Sequence, residues 1–138
     1  MSLLPMSPLL GEAGYDGAVS LVLIANDDVS IKRLSYEDLR AIYSLRRVRW
    51  PNGVAIHPLV LDVDGDLHRR FCREFLNVYP HQLKKGWDRM EYTGRATAPD
   101  QALNEDALVR MIRRTSGAIG YVSRDTVGES AHIISISE

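Results

Sequence analysis

A chain of 138 residues with 45% apolar and 25% charged residues suits one globular domain, large enough to bury a core without disulfides or metal. The net charge of -1 excludes broad electrostatic attraction to nucleic acid or anionic membranes, and no apolar run approaches the roughly eighteen residues of a membrane span. The single Cys72 has no internal disulfide partner and falls on the apolar face of a predicted helix, where it reads as a small buried hydrophobe.

Residues 1–16 are punctuated by Pro and Gly and read as a loose arm before a domain spanning 17–138. The segment Met1 to Leu10 has neither the basic start nor the continuous apolar stretch of a secretion signal. Ala18 to Ala25 is a near-continuous apolar run, as expected of a strand covered on both faces. Asn26 to Ser30 then forms a polar turn. Ser35 is placed to cap a helix that carries Leu39, Ile42 and Tyr43 on its buried side and ends near Ser44 or Leu45.

Arg46, Arg47 and Arg49 beside Trp50 could meet phosphate, but with a net charge near zero a solvated loop anchored by Trp50 is the stronger reading. Ala55 to Leu61 is the second strand, and Pro58 points to an edge or a bulge. Leu67, Phe71, Cys72, Phe75 and Leu76 recur at helical spacing, which predicts a helix over 66–77. A further helix starts at Pro80 and buries Leu83, Trp87 and Met90, and the stretch from Tyr92 to Pro99 is a loop. Asn104 caps a fourth helix, with Glu105 and Asp106 at its positive end and Arg113 and Arg114 at its negative end. Gly117 follows that helix, and strands are expected at 118–122 and 132–136.

The chain is organised around Leu59 to Phe71, where an apolar strand passes through an Asp/Gly turn into an amphipathic helix. Such a layout aims helix N–H groups at whatever fills the turn. Taken with the strand ending at Ala25-Asn26, Leu34 to Tyr43, Arg49 to Gly53, Pro80 to Trp87, Tyr92 to Arg95 and Ser116 to Val122, the order of segments resembles the phosphate-binding-protein family of ABC-transporter substrate-binding proteins. The resemblance covers about Leu21 to Val122.

What the resemblance implies is an α/β fold, a single lobe of a type II periplasmic binding protein with a central mixed or mainly parallel sheet flanked by helices. It also implies a non-enzymatic, periplasmic or extracytoplasmic solute-binding role. A small oxyanion would be the ligand, and an ABC-transporter permease or another protein the partner. In phosphate-binding relatives the turn looks like Gly-Ser-Gly-Thr with an Arg just upstream. Here Asp64-Gly65-Asp66-Leu67 stands in that place, and Leu61 stands for the Arg. Both hydroxyls and the guanidinium are replaced, and two carboxylates are added; at about 4 Å a carboxylate and a phosphate charge repel by roughly 4 kcal/mol at surface-like dielectric. A second reading is therefore an interaction module that kept the fold and lost the ligand.

The candidate ligand residues are Gly65, Asp66, Leu67, His68 and Arg69 at the turn and Thr93, Gly94 and Arg95 in the later loop. For His68 and Arg69 the plainer expectation is a solvated surface, while for Thr93 to Arg95 a structural turn and an anion contact stand equally. Asp62, Asp64 and Asp66 imitate the start of a calcium loop, but Leu67 occupies its glycine position and Arg73 its bidentate acid position. Asp64 or Asp66 is then more simply a helix cap. Neither a nucleophile elbow, a P-loop nor paired zinc ligands are present, and His57, His68, His81 and His132 share no ligand spacing, so neither catalysis nor a cofactor is expected.

Overall fold

The computed structural model describes residues 20–128 and 131–137; the expected arm over 1–16 lies outside them. Six strands form one mixed sheet in the order β2-β6-β1-β5-β3-β4, with β1 at Leu21–Ala25, β2 at Arg33–Ser35, β3 at His57–Val60, β4 at Asp100–Gln101, β5 at Ala118–Ser123 and β6 at His132–Ser137. β1 runs antiparallel to both its neighbours, Leu23 facing Tyr121 on β5 and Ile134 on β6. The pairs β2/β6, β3/β5 and β3/β4 are parallel. This is the mixed α/β sheet expected from the chain.

Helices cover both faces because β5 alternates its side chains across the pleat. On one face lies α4, Glu105–Arg114, packed so closely that a Cβ on Gly120 would come within 2.8 Å of Leu108. On the other, Tyr121 stacks on Phe71, ring centroids 4.0 Å apart, with Tyr43 edge-on to Phe71 at 4.9 Å. Tyr43 belongs to α1, Tyr36–Tyr43, and its hydroxyl donates to the Leu59 carbonyl at 3.0 Å. Trp87 of α3, Pro80–Tyr92, donates its indole N–H to the Tyr43 carbonyl at 2.7 Å, so α3 hangs on α1.

The local signals operate as their chemistry dictates. Ser35 accepts from the Asp38 N–H at 3.0 Å, and Asn104 from the Ala107 N–H at 2.8 Å. Trp50 is buried, and its indole donates to the Gly117 carbonyl at 2.9 Å, which anchors the basic loop. Gly117 has φ +74°, and a Cβ there would fall 1.9 Å from the Ala55 carbonyl oxygen. Only glycine fits this turn.

One element departs from the sequence reading. The helix predicted over 66–77 is α-helical only at Asp66–Phe71 (α2), then widens into a π-helical turn at Cys72–Leu76 that stops at left-handed Asn77. Pro58, expected at an edge or a bulge, stands where one side of β3 is still open. Its strand pairs with β5 at His57 and Pro58 and with β4 only from Leu59, while the His57 N–H donates to Gly117. Alternation turns the proline nitrogen away from β5, to the side where β4 has not yet begun, so no donor is missed.

Candidate functional site

The mouth at the carboxyl end of β3 is where open α/β sheets bind ligands. It is a shallow cavity of about 280 Å³ between the starts of α2 and α4. Asp62 Oδ1 accepts the Asp64 N–H at 3.0 Å, and the Asp62 carbonyl accepts the Gly65 N–H at 2.9 Å. This turn sets Gly65 as the residue that caps α2, with no side chain accepting there. The expectation that Asp64 or Asp66 caps the helix is corrected accordingly. Asp66 instead pairs with Arg69, whose guanidinium also donates to the Asp64 carbonyl at 2.8 Å.

The lining includes Asp62, Asp66 and Glu105 and no lysine or arginine. Glu105 is fixed by donation from the Ser123 N–H at 2.6 Å and the Ser123 hydroxyl at 2.7 Å onto one oxygen. Leu67 is half-buried at the rim, and Leu103 is 89% exposed beside it. Electrostatically, the mouth repels anions and offers apolar surface.

Beneath it lies a relay that the sequence reading misplaced. His68 was expected on a solvated surface, yet only 1% of it is exposed. The Leu61 N–H donates to the Tyr121 hydroxyl oxygen at 3.0 Å, the Tyr121 hydroxyl and His68 Nδ1 share a hydrogen bond at 2.6 Å, and His68 Nε2 faces Cys72 Sγ at 3.5 Å. Burial pulls the His68 pKa below its ordinary 6.5, with the Asp62 and Asp64 carboxylates opposing. The imidazole is neutral. Burial also pushes the Cys72 thiol up to about 11, so it stays protonated, and raises Tyr121 above its usual range against the Leu61 N–H. One signal for this arrangement was available: His68, Phe71, Cys72 and Leu76 share one helical stripe.

Gly65, Asp66, Leu67 and His68 are thus gathered at the mouth, with His68 forming its floor, whereas Arg69 of the same turn lines the neighbouring cavities instead. Thr93, Gly94 and Arg95 are not brought to it. Pro80 at the start of α3 shares a cavity with Asp64, His68 and Arg69, whereas Thr93 terminates the same thirteen-residue helix, about 20 Å further along its axis. There Thr93 bonds the Arg89 carbonyl at 3.0 Å, Gly94 takes φ +72°, and Arg95 N–H donates to Met90, a helix-ending turn exposed to solvent. The residues that sequence reasoning missed at the mouth are Leu103 and Glu105, which arrive from a loop distant in the chain. Among the described residues, no group of three or more His, Cys, Asp or Glu side chains is placed to hold a metal ion.

Compared with solved structures, the chain aligns with an ABC-type phosphate transport receptor from Vibrio cholerae at TM-score 0.67 and 13% identity, over 86% of this chain and 46% of that one. The fold is that of one lobe of a phosphate-transporter substrate-binding protein. A substrate-binding protein from Clostridium perfringens, solved with bound phosphate, gives TM-score 0.68 at 16% identity, covering 86% of this chain and 45% of that one. PstS from Borrelia burgdorferi gives 0.67 at 15% identity, over 87% and 48%. The chain spans about half the length of these proteins. No family model matches the sequence, and no curated protein matches it. No helix among the described residues is long and apolar enough to cross a membrane.

Proposed function

We propose that this chain serves as a non-enzymatic, extracytoplasmic domain of the solute-binding type, related to phosphate carriers but with a degenerate anion loop at Gly65 to Arg69. The observation that carries the reading is the charge of the mouth: three carboxylates line it, no cation does, and the adjacent Arg69 is held by Asp66 and the Asp64 carbonyl. A phosphate entering there would meet like charge on each side and no free guanidinium. Calorimetry with inorganic phosphate and with sulfate is the direct test. Oxyanion binding weaker than micromolar, with resonance shifts centred on Gly65 to Leu67, supports the reading, and no binding of phosphate, sulfate or a related oxyanion would overturn it.

The second reading, an interaction module that pairs with another protein, draws on Leu103, which leaves its side chain 89% exposed beside Leu67. Sedimentation of the native protein and a Leu103→Ser variant separates the two. Loss of an associated species in the variant supports pairing through this face, and a monomer in both counts against self-association.

A further inference from the structure

One helix face away from the acidic mouth the charge reverses. Arg69 and Arg73 lie four residues apart along α2 and its π-helical turn, on one side of the helix. With Tyr79 and Gln82 they line a cavity of about 410 Å³ whose lining contains no carboxylate. That volume falls in the ordinary range for small-molecule sites, about 300–1,000 Å³.

The elements that build it are fixed by backbone. Asn77 in the left-handed conformation ends the π-helical turn, Pro80 opens α3, and Tyr79 sits between them. The Tyr79 N–H donates to Gln82 Oε1 at 3.1 Å, so the amide nitrogen of Gln82 remains a donor at the rim. The Tyr79 ring is 67% exposed and lies nearly parallel to His81, centroids 5.7 Å apart and planes 17° off. The exposed ring lines the same cavity as the two guanidiniums and supplies its aromatic surface.

Arg73 can turn to a ligand at small cost. It is 71% exposed and keeps only a 3.5 Å approach to Glu74, while Arg69 is held by Asp66 and the Asp64 carbonyl through two of its five N–H donors and has the others left for a ligand. Exposed pairs of this kind contribute about 0–1 kcal/mol, and a bidentate phosphate bond to arginine is stronger.

We propose that this α2–α3 groove is a binding site for an aromatic ring carrying a phosphate, the phosphate on Arg69 and Arg73 and the ring stacked on Tyr79. A mononucleotide and a simple aryl phosphate share that chemistry. The site is separate from the mouth in charge, lining and ligand.

The test is a titration of ¹⁵N-labelled full chain with phenyl phosphate, inorganic phosphate and phenol, followed by AMP. The expected result is saturable shifts from Arg69 to Gln82 with phenyl phosphate. Arg73→Gln should weaken phenyl phosphate and inorganic phosphate alike by about tenfold, the worth of one charge-assisted bond. Tyr79→Ala should weaken phenyl phosphate by about fivefold and leave inorganic phosphate unchanged. Both side chains are exposed, so an unaltered spectrum outside the groove shows that the variants fold. AMP binding tenfold tighter than phenyl phosphate assigns a nucleotide, and equal or weaker binding assigns a simple aryl phosphate. No shift at Tyr79 at millimolar phenyl phosphate, shifts confined to Gly65 to Leu67, or equal effects of Tyr79→Ala on both phosphates would each overturn the proposal.

Discussion

The Tyr121 hydroxyl sits 2.6 Å from His68 Nδ1 and at the same time accepts the Leu61 N–H, so one phenol oxygen ties the sheet to the first turn of α2 directly beneath the mouth. Tyr121→Phe removes the hydroxyl while keeping the ring stacked on Phe71. It strands a buried donor on Leu61 and leaves His68 Nδ1 buried without its partner. A loss of about 1–3 kcal/mol for each unsatisfied group is expected, measured by urea denaturation of wild type and variant under identical conditions. A loss below about 0.5 kcal/mol would show that this relay does not hold α2.

The same hydrogen bond holds His68 Nδ1 against the phenol in a buried site. Because burial lowers the folded pKa below 6.5, the unfolded chain binds the proton more readily. The histidine's contribution to stability is full above pH 6.5 and is lost as pH falls through the folded value. His68→Gln should be less stable than wild type at pH 7.5, with a flatter stability profile from pH 7 to pH 5. Nitrogen chemical shifts of His68 report its protonation state directly, and a titration midpoint at or above 6.5 would rule out the neutral buried form.

Asp28 performs a comparable task on the opposite side of the sheet, accepting from the Ser116 hydroxyl and, at 3.0 Å, from the Gly117 N–H. These bonds lower its pKa from 3.8, with burial opposing weakly. Stability from this carboxylate is present above that value and disappears as pH falls through the lower folded one. Asp28→Ala should therefore lower the melting temperature at pH 7, and its gap to wild type should narrow towards pH 3. A gap that stays constant across the acid range would deny the carboxylate this role.

Gly117→Ala tests the turn that receives Trp50. A methyl group would collide with the Ala55 backbone at a positive φ, so the variant should lose at least about 3 kcal/mol or fail to fold. Soluble expression and thermal melting report this. Wild-type stability would mean that the strand pair at Ala55 can give way.

Reinstating donors at the mouth is the converse experiment. Asp66→Gly with Leu67→Thr removes the partner that holds Arg69 and supplies a hydroxyl at the start of α2. Phosphate binding at the mouth stronger than in the parent and diminishing with salt is expected at low ionic strength, read from resonance shifts centred on positions 65 to 67 rather than from total heat. No gain over the parent would mean that Asp62 and Glu105 alone suffice to keep the anion weakly held.

Much of this architecture was legible because local signals agreed with the fold. Ser35 and Asn104 cap, the run ending at Ala25 is buried on both faces, and the helical stripes of 66–77, 80–92 and 105–114 face the core. The strands at Arg33–Ser35 and Asp100–Gln101 were not legible, being two or three residues long and formed only by pairing with β6 and β3. His68 was misjudged because it stands in a helix start with Asp66, Arg69 and Arg70, whereas its partner Tyr121 is 53 residues away. The mouth was found from Leu59 to Phe71, but Leu103 and Glu105 complete it through a contact between two helix starts that no local pattern encodes.

The antiparallel placement of β1 has one more consequence. Leu21, where β1 starts, pairs with Ser123 at the end of β5, and β6 runs parallel to β5, so the strand entering the domain and the strand leaving it meet at the same end as the mouth. A group fused to the start of β1 or the end of β6 would leave from the end of the sheet that carries the mouth, two or three strands from β3. A short tether of this kind sets a local concentration in the millimolar range. A reporter or candidate partner fused to β1 or β6 would therefore be presented to the mouth even where its free affinity is too low to detect.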